Sequence, residues 1–535
     1  MSSLTPKQLR RSVAKLLVVR ASGHQQDNQR RYPRWELGNE QLKRLLNDGV
    51  GGVILLGGSA VELQQRTLQL QSWSSQRLLF CADVEEGIGQ RFEGASWLVP
   101  PLALGRLYQT EPDQALTLAE RYGRCTADQA RRCGLNWVLG PVCDVNNNPA
   151  NPVINLRAWG ENPATAGALA SAFQRGLAKG NVLGCAKHFP GHGDTASDSH
   201  LDLPVLPHNL DRLNQVELPP FRDAIAAGVD SVMTAHLLLP NLDPEQPATL
   251  SPTVLTDLLR GDLGFDGLVV TDALVMEAIA ARHGSAEAAV LAFSAGADLI
   301  LMPGDADDAI DSLCAAITNG HVPPQRLEQS LERRRHALER TRPDSPGTTP
   351  IAMVTPEERQ LEEELIARTL HFHGPPSIGI SHGVNLVRVD SVVPNCSALN
   401  AEAPALALPS AQGFHPVVIH GQGVSPWQST PDEPLALDRI GDGSVLLQLF
   451  LRGNPFRGSR DSHEPWVAAI HQLLAFNRLA GVIVYGSPYL WDNLQPLLPD
   501  DLPAAYSPGQ MQDAQRQVLS RLLPRRGAKT GAFTD

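Results

Sequence analysis

GFDGLVVTDALVM, residues 264–276, packs a short run that is apolar on both faces, LVV, directly against a carboxylate, Asp272. A strand without polar alternation is one covered on both sides, as in parallel sheets whose crossover helices coat the two faces. The same pattern recurs in GVGGVILLG (49–57), RLLFCADVE (77–85), LNWVLGPVCDV (135–145), NVLGCAKHF (181–189), DSVMTAHLLL (230–239) and DLILMP (298–303). Between these runs lie stretches of helical period, among them VELQQRTLQLQS (61–72), DQALTLAERYGRCTADQARRC (113–133), NPATAGALASAFQRGLA (162–178) and AAVLAFSAGA (288–297). Strand and helix alternating this many times predict an α/β fold, specifically a TIM-like (β/α)8 barrel, regular or irregular, more than an open sheet.

The polar residues of these runs fall at their C-terminal ends: Asp83, Asp144, Lys187 with His188, His236 and Asp272. In a parallel barrel that end is where the loops converge on ligand, so one pocket can gather all of them. The barrel is expected over residues 1–340. The segment RTRPDSPGTTP (340–350) is rich in Pro, Gly, Ser and Thr and marks a linker over 341–354. Beyond it, NLVRVD, PVVIHG, SVLLQLFL and GVIVYG alternate with PWVAAIHQLLAFNR and PGQMQDAQRQVLSRLL, which predicts a smaller α/β sandwich domain over 355–535 ending in a loosely held tail.

At 535 residues the chain is long enough for two cores, and its net charge of −12 argues against a nucleic-acid partner, which would call for clustered Lys and Arg. Its seven cysteines form no CxxC pair and read as reduced core residues. The start, MSSLTPKQLRRSVAKLL, reads as a polar amphipathic helix rather than an export signal, and no run of about 18 apolar residues suggests a membrane span. A soluble cytoplasmic protein with a small neutral or mildly charged substrate is expected.

The densest chemistry is in KHFPGHGDTASDSHLDLPVL (187–206), with three histidines and three aspartates in one long loop after a strand. Such a loop over a barrel mouth suits a lid, with Gly191 and Gly193 as hinges, although a merely solvated polar loop has the same composition. Asp198 and His200 are two apart, so in extended backbone the carboxylate lies beside the imidazole and can orient it as a proton shuttle. Asp272 is costly to desolvate unless it is used, but it equally suits the N-cap of the following EAIAAR helix.

These motifs together resemble glycoside hydrolase family 3, and within it the β-N-acetylglucosaminidases that trim cell-wall fragments. The resemblance covers roughly residues 10–345 and rests on Asp83-x-Glu85, GPVCDVN (140–146), NPVINLRAWG (151–160), KHFPGHGDTASDSH (187–200), MTAH (233–236) and GFDGLVVTDALVM, in that order. It implies Asp272 as nucleophile, His200 as acid/base oriented by Asp198, and Asp83, Arg91, Arg157, Lys187 and His188 on the sugar, with no metal and no organic cofactor. The implied activity is retaining, exo-acting hydrolysis of non-reducing terminal β-linked N-acetylglucosamine from peptidoglycan fragments. For Arg91 and Lys187 the alternative is surface salt bridging, and for His188 a packed structural histidine.

The chain departs from the family pattern at DVEEGIGQR, with Glu86 at a usual glycine and Ile88 at a usual arginine, at Asn155 and Leu156 before Arg157, and at Ala273 after the nucleophile. These changes bear on leaving-group preference rather than on the catalytic groups. Two other functions compete: a β-glucosidase or xylosidase of the same family, taking its acid/base from Glu433 or Glu464 of the second domain, and a noncatalytic sugar-binding protein that retains the pocket.

Overall fold

The computed structural model describes residues 4–195, 202–341, 352–380, 382–390, 398–420, 425–452 and 464–524. Asp198, His200 and Cys396, together with most of the expected linker, lie outside the described residues. The chain forms two compact units, Met1–Leu361 and Glu362–Asp535.

The first unit is a ring of eight parallel strands: β1 (Leu17–Ser22), β2 (Gly52–Leu56), β3 (Leu79–Ala82), β4 (Trp137–Val138), β5 (Cys185–Phe189), β6 (Ser231–Thr234), β7 (Leu268–Val270) and β8 (Ile300–Leu301). Pairing runs β4-β3-β2-β1-β8 in one sheet and β5-β6-β7 in another. Two seams close the ring. At the first, Val138 N donates to Leu183 O at 2.8 Å and Cys185 N to Gly140 O at 2.7 Å, joining β4 to the approach of β5; at the second, Thr271 N donates to Leu299 O at 3.1 Å, joining β7 to β8. The barrel is therefore complete but irregular, its pairing reduced to isolated bridges Trp137↔Leu183, Val142↔Lys187 and Val270↔Leu299 at the seams.

β1 is the one strand absent from the sequence reading, which ran a helix through the N-terminal segment and began the strand series at residue 49. The helix stops at Ala14 (Pro6–Ala14) and Leu17–Ser22 turns into the barrel. Leu16, Leu17, Val18 and Val19 are all at most 2% exposed, an apolar run that continues the helix's own apolar spacing and so conceals the boundary. Each such side chain contributes about 1.5–3 kcal/mol by leaving water.

The helices that coat the ring begin where the sequence offers caps. Ser59 accepts from Glu62 N ahead of Ala60–Ser72, Asn162 from Thr165 N ahead of Pro163–Lys179, and Asp305 from Asp308 N ahead of Ala306–Thr318. Cys81, Cys125, Cys133, Cys143 and Cys185 are buried free thiols, and Cys314 is free and half-buried. Among the described residues no helix is long and apolar enough to cross a membrane.

The second unit is a six-stranded mixed sheet in the order β11-β10-β12-β13-β14-β9, from β9 (His371–His373), β10 (Gly383–Val389), β11 (Phe414–Ile419), β12 (Val445–Leu451), β13 (Leu479–Gly486) and β14 (Ala504–Ser507). All pairs are parallel except β14 with the edge strand β9. One face buries Leu386, Leu447, Leu449, Val482 and Val484 in a cluster with Trp466, Ile470, Leu473, Trp491 and Leu494. The other is fastened by a buried amide network in which Gln448 Nε2 donates to Asn385 Oδ1 at 2.7 Å and to Ala405 O at 2.8 Å, while Ala405 N donates to Gln515 Oε1 at 3.0 Å. Helices thus cover both faces of the sheet.

Candidate active site

At the C-terminal end of β3 the chain delivers Asp83 and Glu85. Glu85 is 3% exposed and carries two cations: Arg157 donates to it through Nε at 2.7 Å and Nη2 at 2.8 Å, and Lys187 Nζ sits at 2.6 Å. Lys187, on β5 and 1% exposed, also reaches Asp83 Oδ1 at 2.9 Å. Burial alone would raise the Glu85 pKa, but the Arg157 and Lys187 charges beside it hold the carboxyl well below the usual range. Burial likewise works against charge on Lys187, and Asp83 and Glu85 reverse that and raise its pKa. Glu85, Lys187 and Arg157 are thus all held in their charged forms. The cluster aims fixed N–H donors and the half-exposed Asp83 carboxylate into the mouth, a set suited to a ligand with several hydroxyl groups.

Beside this cluster stands a second one centred on Asp144, which is fully buried after β4. Its Oδ2 lies 2.7 Å from His188 Nδ1, and its Oδ1 accepts from His188 N at 3.1 Å and His192 N at 2.7 Å. A carboxylate at Nδ1 places the His188 Nδ1 proton on that side and turns Nε2 toward Arg157, 3.5 Å away. His188 is therefore an oriented histidine, held between Asp144 and Arg157. His192 is buried, and burial lowers its pKa to about 4, so it stays neutral near pH 7; its Nδ1 is 2.8 Å from Thr195 Oγ1.

Asp272 follows β7 on the opposite wall and is half-buried. It does not cap the next helix, Glu277–Ala280, whose N-cap is Met276. A hydrogen-bonded ring instead holds the peptide units on both sides of it. Asp272 N donates to Thr234 Oγ1 at 3.4 Å, Thr234 Oγ1 is 2.8 Å from Thr249 Oγ1, Thr249 Oγ1 is 2.8 Å from His236 Nδ1, and His236 Nε2 is 3.1 Å from Ala273 O. A carbonyl only accepts, so His236 carries its proton on Nε2. The side chains in this ring are the Thr234 and Thr249 hydroxyls and the His236 imidazole.

The structure thus places Asp83, Arg91, Arg157, Lys187, His188 and Asp272 on strand ends and loops at one end of the barrel, Arg91 joining through Nε to Asp83 O at 2.9 Å. Arg91 is exposed and Lys187 fully buried, so salt bridging at the surface does not describe Lys187. Glu85 and Asp144 organise the site without having been singled out as site residues, although the two-residue spacing after Asp83 and a carboxylate at a strand end were visible signals. The departures find ordinary places. Glu86 is buried and accepts from Trp97 Nε1 at 2.9 Å, Ile88 is buried, and Asn155 N donates to Asn146 Oδ1 at 2.9 Å.

The loop after β5 corrects one expectation. Gly191 and Gly193 are tightly packed rather than open hinges: a Cβ on Gly191, at φ +136°, would lie 2.8 Å from Glu217 Cβ, and one on Gly193 1.7 Å from Val145 O. Glycine is used here because neighbouring atoms press on the backbone. Asp194, His208 and Glu217 bring possible metal-ligand atoms within 4.8 Å of one another, but Arg212 Nη2 stands 3.2 Å from both Asp194 and Glu217 and supplies the cation itself.

In the second unit, Glu464 is committed elsewhere: Arg388 grips it through Nε at 2.9 Å and Nη2 at 2.7 Å, and Trp466 Nε1 donates to it at 2.9 Å. Glu433 is exposed.

Residues 8–336 match the Glycosyl hydrolase family 3 N terminal domain and residues 379–524 the Bacterial Glycosyl hydrolase family 3 C-terminal domain. The chain is 37% identical over 284 residues to a β-hexosaminidase of Stenotrophomonas maltophilia (strain K279a), which is 52% of this chain and 84% of the relative. In structure it is similar to a family 3 β-N-acetylglucosaminidase from Paenibacillus sp. str. FPU-7, with TM-score 0.76, 28% identity and coverage of 97% of this chain and 96% of the other. It is also similar to NagZ from Neisseria gonorrhoeae in complex with N-trifluoroacetyl-D-glucosamine, with TM-score 0.55, 30% identity and coverage of 66% and 98%.

Proposed function

The chain belongs to glycosyl hydrolase family 3, and on that premise we propose that it is a retaining, exo-acting β-N-acetylhexosaminidase that releases non-reducing terminal N-acetylglucosamine. The observation that carries this reading is the placement of Asp272, which caps no helix and stands across the barrel mouth from the Glu85–Arg157–Lys187 cluster. Asp272 attacks the anomeric carbon as the glycosidic bond breaks, forming a glycosyl ester. His200, oriented by Asp198, gives its proton to the departing oxygen, then takes one from the water that cleaves the ester. Asp83, Arg91, Arg157, Lys187 and His188 hold the sugar hydroxyls, and no cofactor enters the sequence of steps. Peptidoglycan fragments are the substrate we assign, and the cytoplasm, where fragments return for recycling, is the compartment.

The pairing of Glu464 with Arg388 counts against a glucosidase that borrows its acid from the second unit. The test is turnover of 4-nitrophenyl β-N-acetylglucosaminide against the β-glucoside, repeated with Asp272→Ala and His200→Ala. The N-acetyl substrate is preferred, and each variant loses at least about a thousandfold in kcat. Undiminished turnover in both variants would overturn the assignment, preference for the glucoside would favour the glucosidase, and sugar binding without turnover would favour the noncatalytic protein.

A further inference from the structure

The chain's net charge is −12, yet the loop after β1, GHQQDNQRRYPRWELG (23–38), sets three arginines against two carboxylates. Both carboxylates are engaged inside the loop's own scaffold. Asp27 accepts from Asn39 N at 3.0 and 3.1 Å, and the buried Glu36 accepts from Tyr32 N at 2.9 Å. Arg30 is likewise held, donating to Asp27 O at 3.1 Å and Glu36 O at 2.9 Å. Arg31 and Arg34 are both exposed, and their guanidinium groups lie over aromatic rings, Arg31 5.7 Å from Tyr32 and Arg34 4.5 Å from Trp35. Arg20, from β1, approaches Tyr32 at 5.4 Å, and its Nε is buried without a hydrogen-bond partner.

This arginine and aromatic group borders the site already described. Arg20 aligns with Ile54 on β2, which aligns with Cys81 on β3, two residues before Asp83. Leu37 N donates to Arg20 O at 3.1 Å, pinning the loop to the end of β1, and Arg91 donates to Asp83 O from the other side. Burial lowers the Arg20 pKa, while Glu36 and Asp83 act to raise it and Arg91 to lower it, which is consistent with that proximity. Among the described residues, Arg20, Arg31, Arg34 and Arg91 have no carboxylate within ion-pair distance. Stacked guanidinium groups keep their in-plane N–H donors available, the geometry that takes a carboxylate or phosphate.

We propose that Arg20, Arg31 and Arg34, beside Arg91, form a rim that binds an anionic group carried by the substrate outside its N-acetylglucosamine ring. The proposal rests on the glycosidase reading above and deepens it: the enzyme selects substrates by charge next to Asp83. Either a carboxylate on the leaving group or a phosphate on the ring's C6 oxygen supplies that chemistry, and the two are separable by experiment.

The full chain and its Arg31→Gln/Arg34→Gln double variant are to be compared on three substrates. These are 4-nitrophenyl β-N-acetylglucosaminide, its 6-phosphate, and the 3-carboxy-4-nitrophenyl glycoside. The native protein is expected to favour at least one anionic substrate over the neutral one in kcat/KM. The double variant, or added salt, should reduce that ratio about tenfold. Preference for the carboxylated glycoside places the anion on the leaving group, and preference for the 6-phosphate places it on the ring. No preference in the native protein, or a preference that survives the double substitution, overturns the rim while leaving the glycosidase reading intact. Failure to cleave even the neutral substrate instead removes that reading, and the rim with it.

Discussion

The two walls of the barrel mouth are built by opposite means. On the β3–β5 wall, charge is fixed by buried counter-charge, Glu85 holding Arg157 and Lys187, while Asp144 orients the His188 ring. On the β6–β7 wall, the hydrogen bonds around Asp272 run through Thr234, Thr249 and His236, and they grip the backbone on either side of it. The difference follows from the work each wall does in the proposed reaction. Groups that recognise a sugar gain by keeping a constant charge in a fixed place. In the proposed reaction Asp272 forms and releases a covalent bond, and the ring fixes the backbone from which that carboxylate is presented.

The comparison breaks most visibly at Glu85. Removing a buried carboxylate from two buried cations leaves charge uncompensated, at a cost of about 3–5 kcal/mol. Glu85→Ala should therefore lower the unfolding midpoint of the barrel by that equivalent and raise KM as Arg157 and Lys187 lose their anchor, both readable from denaturant curves and steady-state kinetics. A variant with native stability would mean the cations find other partners and the charged wall is not organised around Glu85.

The next effect lies in pH. His192 has a native pKa of about 4 against an ordinary value near 6.5, so it binds a proton less readily folded than unfolded. As pH falls from about 6.5 toward 4, the unfolded chain takes up that proton and the native state does not, so stability is lost across this window by about 3 kcal/mol; above it the contribution is flat. Asp144, whose pKa is lowered against the opposing effect of burial by His188 and His192, adds a loss only below the usual carboxylate range. His192→Asn, which keeps an acceptor for Thr195, should flatten the decline in melting temperature between pH 6.5 and 4.5. An unchanged slope would place the acid sensitivity elsewhere.

Much of the barrel was legible because its strands are apolar on both faces and end in single polar residues, which is a pattern of composition as well as of order. β1 was not, because Leu16–Val19 continues the spacing of the helix before it and no Gly or Pro punctuates the change. At the site, Asp272 was balanced between cap and catalyst until Met276 proved to hold the cap position. The glycines of the β5 loop looked like hinges because sequence reports freedom of φ and says nothing of the Val145 carbonyl pressed against Gly193. Glu85 and Asp144 were quoted within motifs but not singled out for roles, since what matters about each is the partners it meets from distant segments: Glu85 and Arg157 are 72 residues apart, and Asp144 and His188 are 44.

The wall around Asp272 yields the smallest effect and the sharpest discrimination. His236 is fully buried and meets the segment of the proposed nucleophile at the Ala273 carbonyl, which makes it a positioning residue in that reading. Its loss should let Asp272 shift by a fraction of an ångström, costing about 10- to 100-fold in kcat, while the sugar-binding wall and hence KM change little. His236→Gln, with an amide N–H able to reach that carbonyl, should recover part of the rate, and Thr249→Val should reproduce the loss by removing the hydroxyl that faces Nδ1. A purely structural histidine would instead show a fall in stability with kcat of the folded fraction unchanged and no rescue by glutamine. If His236→Ala raised KM and left kcat alone, the division between an ion-paired recognition wall and a hydrogen-bonded catalytic wall would have to be abandoned.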